Sequence, residues 1–139
     1  MAKTRQSPGG TIMTTLTTAA RNAACDAVVG LLDVGATNPQ GQAVFRTAAN
    51  AAVATLALSN PAYGAAATGV ATASAITSDT NAAGGTTTHL TMEDRNVAEV
   101  FQLTVTGTGG GGDIELSGGT VVTAGTTVSI TSLTHTQPA

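Results

Sequence analysis

The chain has 139 residues, of which 9% are charged and 2% aromatic, with a formal net charge of −3 at pH 7. This length fits one domain with a modest core. Binding to nucleic acid would require a dense basic patch. A segment that crosses a bilayer would require about 20 consecutive apolar residues. The sequence has neither, so we expect no nucleic acid and no membrane among its partners. The scarcity of charge favours a surface that is largely covered by other chains.

Residues 1–13 are polar and without periodicity. The composition is typical of a frayed terminus, and equally of an arm that becomes ordered on a neighbouring subunit. Ser7-Pro8-Gly9-Gly10 stands where the apolar core of a signal peptide would be, so we expect the protein to act where it is made. The single cysteine, Cys25, excludes an intramolecular disulfide and predicts a small buried side chain.

One helix is predicted, over residues 14–34, with Thr15, Thr17 or Thr18 as N-cap and Gly35 at its end. Its apolar residues recur at helical spacing and predict the buried face. They are Leu16, Ala20, Ala23, Ala27 and Leu31, with Ala24, Val28 and Leu32 widening the stripe. The polar residues Arg21, Asn22, Asp26 and Asp33 fall outside it.

After Gly35, turn residues recur every eight to twelve positions and separate short strand-like segments. The predicted strands are residues 42–47, 53–59, 65–75, 86–92, 97–106, 113–117, 120–123 and 127–134. Residues 97–106 alternate most clearly and hold Phe101, so we place them at the centre of the sheet. The pattern predicts an all-β jelly roll or β-sandwich of about eight antiparallel strands. Together with the leading helix at residues 14–34, these strands form a single predicted domain over residues 14–139.

Potential ligands and charges are densest at residues 89–99. His89 and Glu93 would share one strand face, but no second histidine or cysteine is nearby, so we expect no metal. We interpret Glu93, Asp94, Arg95 and Glu99 as a charged patch, solvated or at an interface, that could set register with a partner.

Catalytic and cofactor motifs are not found. Gly107–Gly112 lacks the Gly-Lys-Ser/Thr ending of a phosphate-binding loop and is interpreted as a flexible hairpin tip. No nucleophile elbow or Ser–His–Asp context is present. We expect neither an enzyme nor a bound cofactor.

Three segments resemble a family of small structural proteins of tailed-phage virions. They are TAARNAACDAVVGLLDVG (18–35), LALSNPAYGAAATGVATASAITSD (56–79) and DIELSGGTVVTAGTTVSITSLTHTQP (113–138). The family is that of the capsid cement, or decoration, proteins with a jelly-roll fold. The resemblance implies a protein made in the bacterial host cytoplasm that binds the outer surface of an HK97-fold shell and clamps adjacent major capsid subunits.

The resemblance transfers no catalytic, cofactor or metal residue. The expected partners are the major capsid protein and further copies of this chain, with a dimer favoured. Candidate partner-binding residues are the arm residues Lys3 and Arg5, the charged turn Glu93, Asp94 and Arg95, and also Arg46. Two other interpretations stay open: another virion component such as a head-fibre or tail protein, and a carbohydrate-binding adhesion module.

Overall fold

The computed structural model describes residues 15–139, so the predicted arm, with Lys3 and Arg5, lies outside the described residues. It shows one α-helix, α1 (Thr18–Gly30), which continues into a 3₁₀ turn at Leu31–Asp33. The strands are β1 (Gln42–Arg46), β2 (Ala52–Ala57), β3 (Val70–Thr72), β4 (Gly85–Thr86), β5 (His89–Glu93), β6 (Glu99–Gly107), β7 (Ile114–Leu116), β8 (Val121–Val122) and β9 (Thr134–Thr136).

The strands form one five-stranded sheet, in the order β2-β1-β5-β6-β7, and two small sheets, β3-β9 and β4-β8. The fold is therefore all-β, of the β-sandwich or jelly-roll kind, with a single N-terminal helix, as the turn spacing predicts. Buried residues of α1, the large sheet and the β3-β9 sheet belong to one hydrophobic cluster. No helix within residues 15–139 is long and apolar enough to cross a membrane.

The centre of the large sheet is β5, not the strand at residues 97–106. β5 pairs with β1 on one side and β6 on the other, and Leu90 and Met92 are fully buried. Phe101 in β6 is only half-buried, because β6 lies next to the short edge strand β7. Val97 belongs to the turn before β6.

The helix was predicted correctly, but its buried face only in part: Cys25 and Leu32 are buried as expected, whereas much of the alanine stripe is exposed. Thr17 is the N-cap, and its hydroxyl accepts a hydrogen bond from the Ala20 N–H at 3.3 Å. The residues that face the core are Cys25, Val29 and Leu32, which lie along one side of the helix. Ala20, Ala23, Ala27 and Leu31, all from the predicted stripe, are exposed.

Polar side chains hold the helix against the body of the protein. The Asn22 and Asp26 side-chain oxygens accept hydrogen bonds from the backbone N–H groups of Gly69 and Ala66, each at 2.7 Å, and Asp33 accepts one from Ala62 at 2.9 Å. These three contacts fasten α1 and its 3₁₀ turn to the segment 62–69. They explain why the helix is turned from its predicted orientation: polar residues outside the predicted stripe bind backbone N–H groups of this segment.

The glycine-rich segment is not a hairpin tip, since the strands that it joins, β6 and β7, run parallel. It instead folds back over β6. A Cβ atom on Gly110 would lie 2.6 Å from the Thr106 Cβ, and one on Gly112 would lie 2.9 Å from the Thr106 side chain. Glycine is needed here because the chain passes so close to β6.

Candidate interaction surface

Two of the predicted partner-binding residues meet on the face of the large sheet opposite to the one that carries Leu90 and Met92. Arg46, at the end of β1, makes an ion pair with Glu93, at the end of β5, with 2.5 Å between Nη2 and Oε1. Glu93 is 3% exposed. A carboxylate withdrawn from water to this extent requires a charged or multiple hydrogen-bonding partner, and Arg46 supplies the charge.

Neutral side chains complete the coordination of this pair. Glu93 also accepts hydrogen bonds from the Gln42 amide at 2.8 Å and the Thr91 hydroxyl at 2.9 Å. The Arg46 Nε donates to Thr91 at 2.9 Å, and its Nη1 donates to the Asn50 carbonyl at 3.0 Å. All three guanidinium nitrogens of Arg46 are therefore occupied within the chain, and the pair is built to hold β1 and β5 together.

The other two predicted residues of the charged turn are also engaged locally. The Asp94 carboxylate accepts hydrogen bonds from the N–H groups of Asn96 and Ala98, both at 2.8 Å, which closes the turn between β5 and β6. The Arg95 Nε donates to the Asn38 carbonyl at 2.9 Å. The charged patch is therefore a folded turn tied to the linker after the helix, and Glu93 is buried rather than solvated.

Most of the carboxylates of this chain accept hydrogen bonds from other groups of the same chain. Seven of its eight acidic side chains accept hydrogen bonds within residues 15–139, most of them from backbone N–H groups. These seven are Asp26, Asp33, Asp79, Glu93, Asp94, Asp113 and Glu115. Within the same residues, the Glu99 carboxylate has no hydrogen bond and the Arg46–Glu93 contact is the one ion pair.

An apolar surface that the sequence patterns missed lies beside the charged turn. Leu31, Val34 and Val97 are 50%, 52% and 48% exposed, and they are three of the four large apolar residues that are exposed within the described chain. The Val34 carbonyl accepts a hydrogen bond from the Arg95 N–H at 3.0 Å, which brings the helix end to the turn that carries Val97. Periodicity had assigned Leu31 and Val97 to buried faces, so no local signal pointed to this surface.

Two polar side chains, Cys25 of α1 and Tyr63, belong to the buried core. The Tyr63 hydroxyl has no hydrogen-bond partner among the described residues, and the Cys25 Sγ donates a 3.5 Å hydrogen bond to the His135 carbonyl. Burial, and secondarily the nearby Cys25 thiol, raise the pKa of Tyr63. The Tyr63 hydroxyl is therefore an uncharged part of the core at neutral pH.

The cavities offer hydroxyl, amide and small apolar groups. One of about 330 Å³ lies between residues 116–123 and 126–129, and a second of about 290 Å³ between residues 72–76 and 130–133. Neither has an acidic, basic or histidine side chain in its lining. Within residues 15–139, no three His, Cys, Asp or Glu side chains are grouped so that they could hold a metal ion.

Comparison with known proteins adds no identity, since no family model, curated protein or solved structure matches this chain.

Proposed function

We propose that this chain is a structural virion protein, a capsid cement protein that binds the outside of an HK97-fold shell and clamps adjacent major capsid subunits. Its partners are then the major capsid protein and further copies of itself, with a dimer favoured. In this role the chain binds no cofactor, nucleic acid or membrane. In this proposal it is made in the cytoplasm of a bacterial host and acts on the outer surface of the head.

The observation that carries the proposal is the resemblance of three segments, residues 18–35, 56–79 and 113–138, to cement proteins. In the fold these segments contact one another. Asn22 and Asp26 of the first bind Gly69 and Ala66 of the second, and the Arg21 Nε donates to the Gln137 carbonyl of the third at 3.0 Å. The resemblance therefore covers a connected part of the structure, namely the helix and the β3-β9 sheet on which it packs.

The distribution of charge also supports a protein that works by lying against others. Only 9% of the residues are charged, so the surface has little of the charge that keeps a lone protein soluble. A cement protein does not need a few strong contacts, because many weak contacts over a shell add up through avidity. An interface poor in aromatic residues suits that mode of binding.

The test is to add the purified full-length chain to shells that lack it and to locate it by cryo-electron microscopy. The proposal expects saturable binding at a copy number comparable to that of the major capsid protein, with density across boundaries between subunits. A few copies at a vertex or on a tail would instead assign the chain to a head fibre or tail. Binding to a glycan array without binding to shells would favour the adhesion module.

A second measurement tests the clamping role. Shells that carry the protein should withstand a higher temperature or internal DNA pressure before they release DNA than shells that lack it. Binding without any gain in shell stability would contradict the clamping part of the proposal while leaving the location intact.

A further inference from the structure

The surface beside the charged turn combines exposed apolar residues with charged residues that make no ion pair within residues 15–139. Its apolar centre is formed by Leu31, Val34 and Val97, each about half exposed. Arg95 and Glu99 stand two residues before and after Val97. We call these five residues the exposed corner.

Val97 has a backbone conformation that is unfavourable for valine. Its φ is +66°, a left-handed conformation that a β-branched side chain rarely adopts and that Asn or Gly adopts with less strain. The side chain is 48% exposed, so its burial within the chain compensates only part of that strain. A contact with another chain would bury the exposed part of the Val97 side chain.

The charges of the exposed corner are self-complementary. Neither Arg95 nor Glu99 makes an ion pair with any of residues 15–139, whereas the third charged group of this turn, Asp94, is occupied by two backbone N–H groups. A two-fold contact centred on this turn would bring the residue Arg95 of each copy towards Glu99 of the other and so match both charges. We propose that the exposed corner is the contact between two copies of this chain, related by a two-fold axis.

The area required for a stable dimer is met only if the contact continues along the helix. A specific interface buries about 800 Å² on each partner, which is more than three half-exposed side chains provide. Ala20, Ala23 and Ala27 are exposed and lie on the same side of α1 as Leu31. Small side chains allow two helices to approach closely, so this row extends the apolar centre toward the start of α1.

The inference deepens the self-association in the proposed function and rests on that part of it. It requires no shell, and it is tested on the purified full-length chain alone. A failure here would remove the assigned contact, whereas a failure to bind shells with an intact dimer would remove only the cement role.

The main experiment measures the dimer dissociation constant by sedimentation equilibrium for the wild type, Val97→Asn and a matched control, Val121→Asn. Val121 is the fourth exposed large apolar residue, 68% exposed, and lies in β8. We expect Val97→Asn to weaken the dimer by about tenfold or more, as loss of a central contact does, and Val121→Asn to leave it within about twofold. The same Val97→Asn change should raise the melting temperature of the dilute monomer, because Asn accepts the left-handed conformation.

A charge-exchange series provides an independent readout. Glu99→Arg alone and Arg95→Glu alone should each weaken the dimer about two- to fivefold at low salt, and the double variant should recover most of the loss. Recovery is specific to a contact in which the two residues face each other in different copies. Thermal unfolding of each variant checks that the loss of the Arg95–Asn38 bond has not unfolded the turn.

The inference is overturned if the wild type remains monomeric at about 100 μM, a concentration at which even a weak dimer is detected. It is equally overturned if Val97→Asn leaves the dimer as strong as the wild type, or if Val121→Asn weakens it as much. Failure of the double charge variant to recover would remove the two-fold pairing of Arg95 with Glu99.

Discussion

Arg46 and Glu93 form an ion pair that runs along two neighbouring strands rather than straight across them. In the register of β1 and β5, Arg46 is opposite His89 and Glu93 is opposite Gln42, yet the guanidinium and the carboxylate lie 2.5 Å apart. Thr91 bridges the distance by bonding both. A one-residue slip of β5 would turn Glu93 to the other face of the sheet, so the network opposes slippage of the two central strands.

The first prediction concerns the loss of one partner of this ion pair. Arg46→Met leaves a carboxylate that is 3% exposed without its counter-charge, and we expect the free energy of unfolding to fall by about 3 kcal/mol. Glu93→Gln should cost less, about 1–2 kcal/mol, because the amide oxygen can still accept from Arg46 and Thr91 and only the bond from Gln42 is lost, and Arg46 is near enough to water to be hydrated. Urea denaturation measures both values.

The double variant Arg46→Met with Glu93→Met is the control for this prediction. It removes the buried charge together with its partner, so it should be more stable than Arg46→Met alone. If Arg46→Met changes the free energy of unfolding by less than about 0.5 kcal/mol, the size of an ordinary surface substitution, the pair has no structural role.

The second prediction concerns the polar fastening of the helix. Asn22→Ala removes the acceptor for the Gly69 N–H, and Asp26→Ala removes the acceptor for the Ala66 N–H. Each should lower the free energy of unfolding by about 1–2 kcal/mol and speed hydrogen exchange at the amide that has lost its partner. Ala23→Ser, on the exposed side of the same helix, should change the free energy of unfolding by less than about 0.5 kcal/mol.

Exchange measured amide by amide separates the loss of individual contacts from a general loosening of the helix, since alanine itself raises helix propensity. Faster exchange at Gly69 in Asn22→Ala, with little change at Ala66, would support the individual contacts. Equal loss of protection along the whole helix in both variants would contradict them.

The class of the fold follows from local signals in the sequence. Alternation in β6 and turn residues at regular spacing predict an all-β chain, and Thr17 together with the alanine-rich run predicts the helix. The orientation of that helix does not follow. Asn22 and Asp26 are indistinguishable from solvated residues in sequence, because the backbone N–H groups that they bind come from residues more than 35 positions away.

The candidate site shows the same limit. The position of the charged turn was predicted, but the burial of Glu93 depends on Arg46, 47 positions earlier in the chain. Val97 continues the alternation of the strand that follows, and its left-handed φ is set by the Asp94 turn. Side chains whose environment is decided by a distant partner or by one backbone angle are outside what periodicity can predict.

The third prediction compares Gly110, in the glycine-rich segment between β6 and β7, with Gly118, which follows β7. Gly110→Ala would place a Cβ atom 2.6 Å from the Thr106 Cβ, whereas nothing lies within 4 Å of a Cβ at Gly118. We expect Gly110→Ala to lower the free energy of unfolding by about 1–3 kcal/mol through overpacking. Gly118→Ala should be neutral or slightly stabilising, because it only restricts the unfolded chain. Similar unfolding midpoints in urea for the two variants would show that the loop does not pack on β6.

The last prediction concerns the response of this loop to acid. Hydrogen bonds from the Thr104 hydroxyl and then its N–H lower the pKa of Asp113, and those from the Gly111 and Gly109 N–H groups lower the pKa of Glu115. A carboxyl whose pKa is lower in the folded state stabilises the fold above its unfolded pKa. That contribution disappears as the pH falls through the folded value. The loop should therefore keep its bonds at neutral pH and lose them progressively below about pH 4.

Hydrogen exchange at the Gly109 and Gly111 amides, corrected for the intrinsic effect of pH, follows this loss directly. The Gly109 and Gly111 N–H groups bind different oxygens of Glu115, and Glu115→Gln keeps only one acceptor oxygen. One of the two amides should therefore lose protection at all pH values, and protection at both should become independent of the titration of residue 115. Glu99→Gln is the matched control, because Glu99 accepts no hydrogen bond within residues 15–139 and its replacement should leave the profile unchanged. If the Glu115→Gln variant shows the same pH dependence as the wild type, the Glu115 carboxylate does not hold the glycine-rich segment in place.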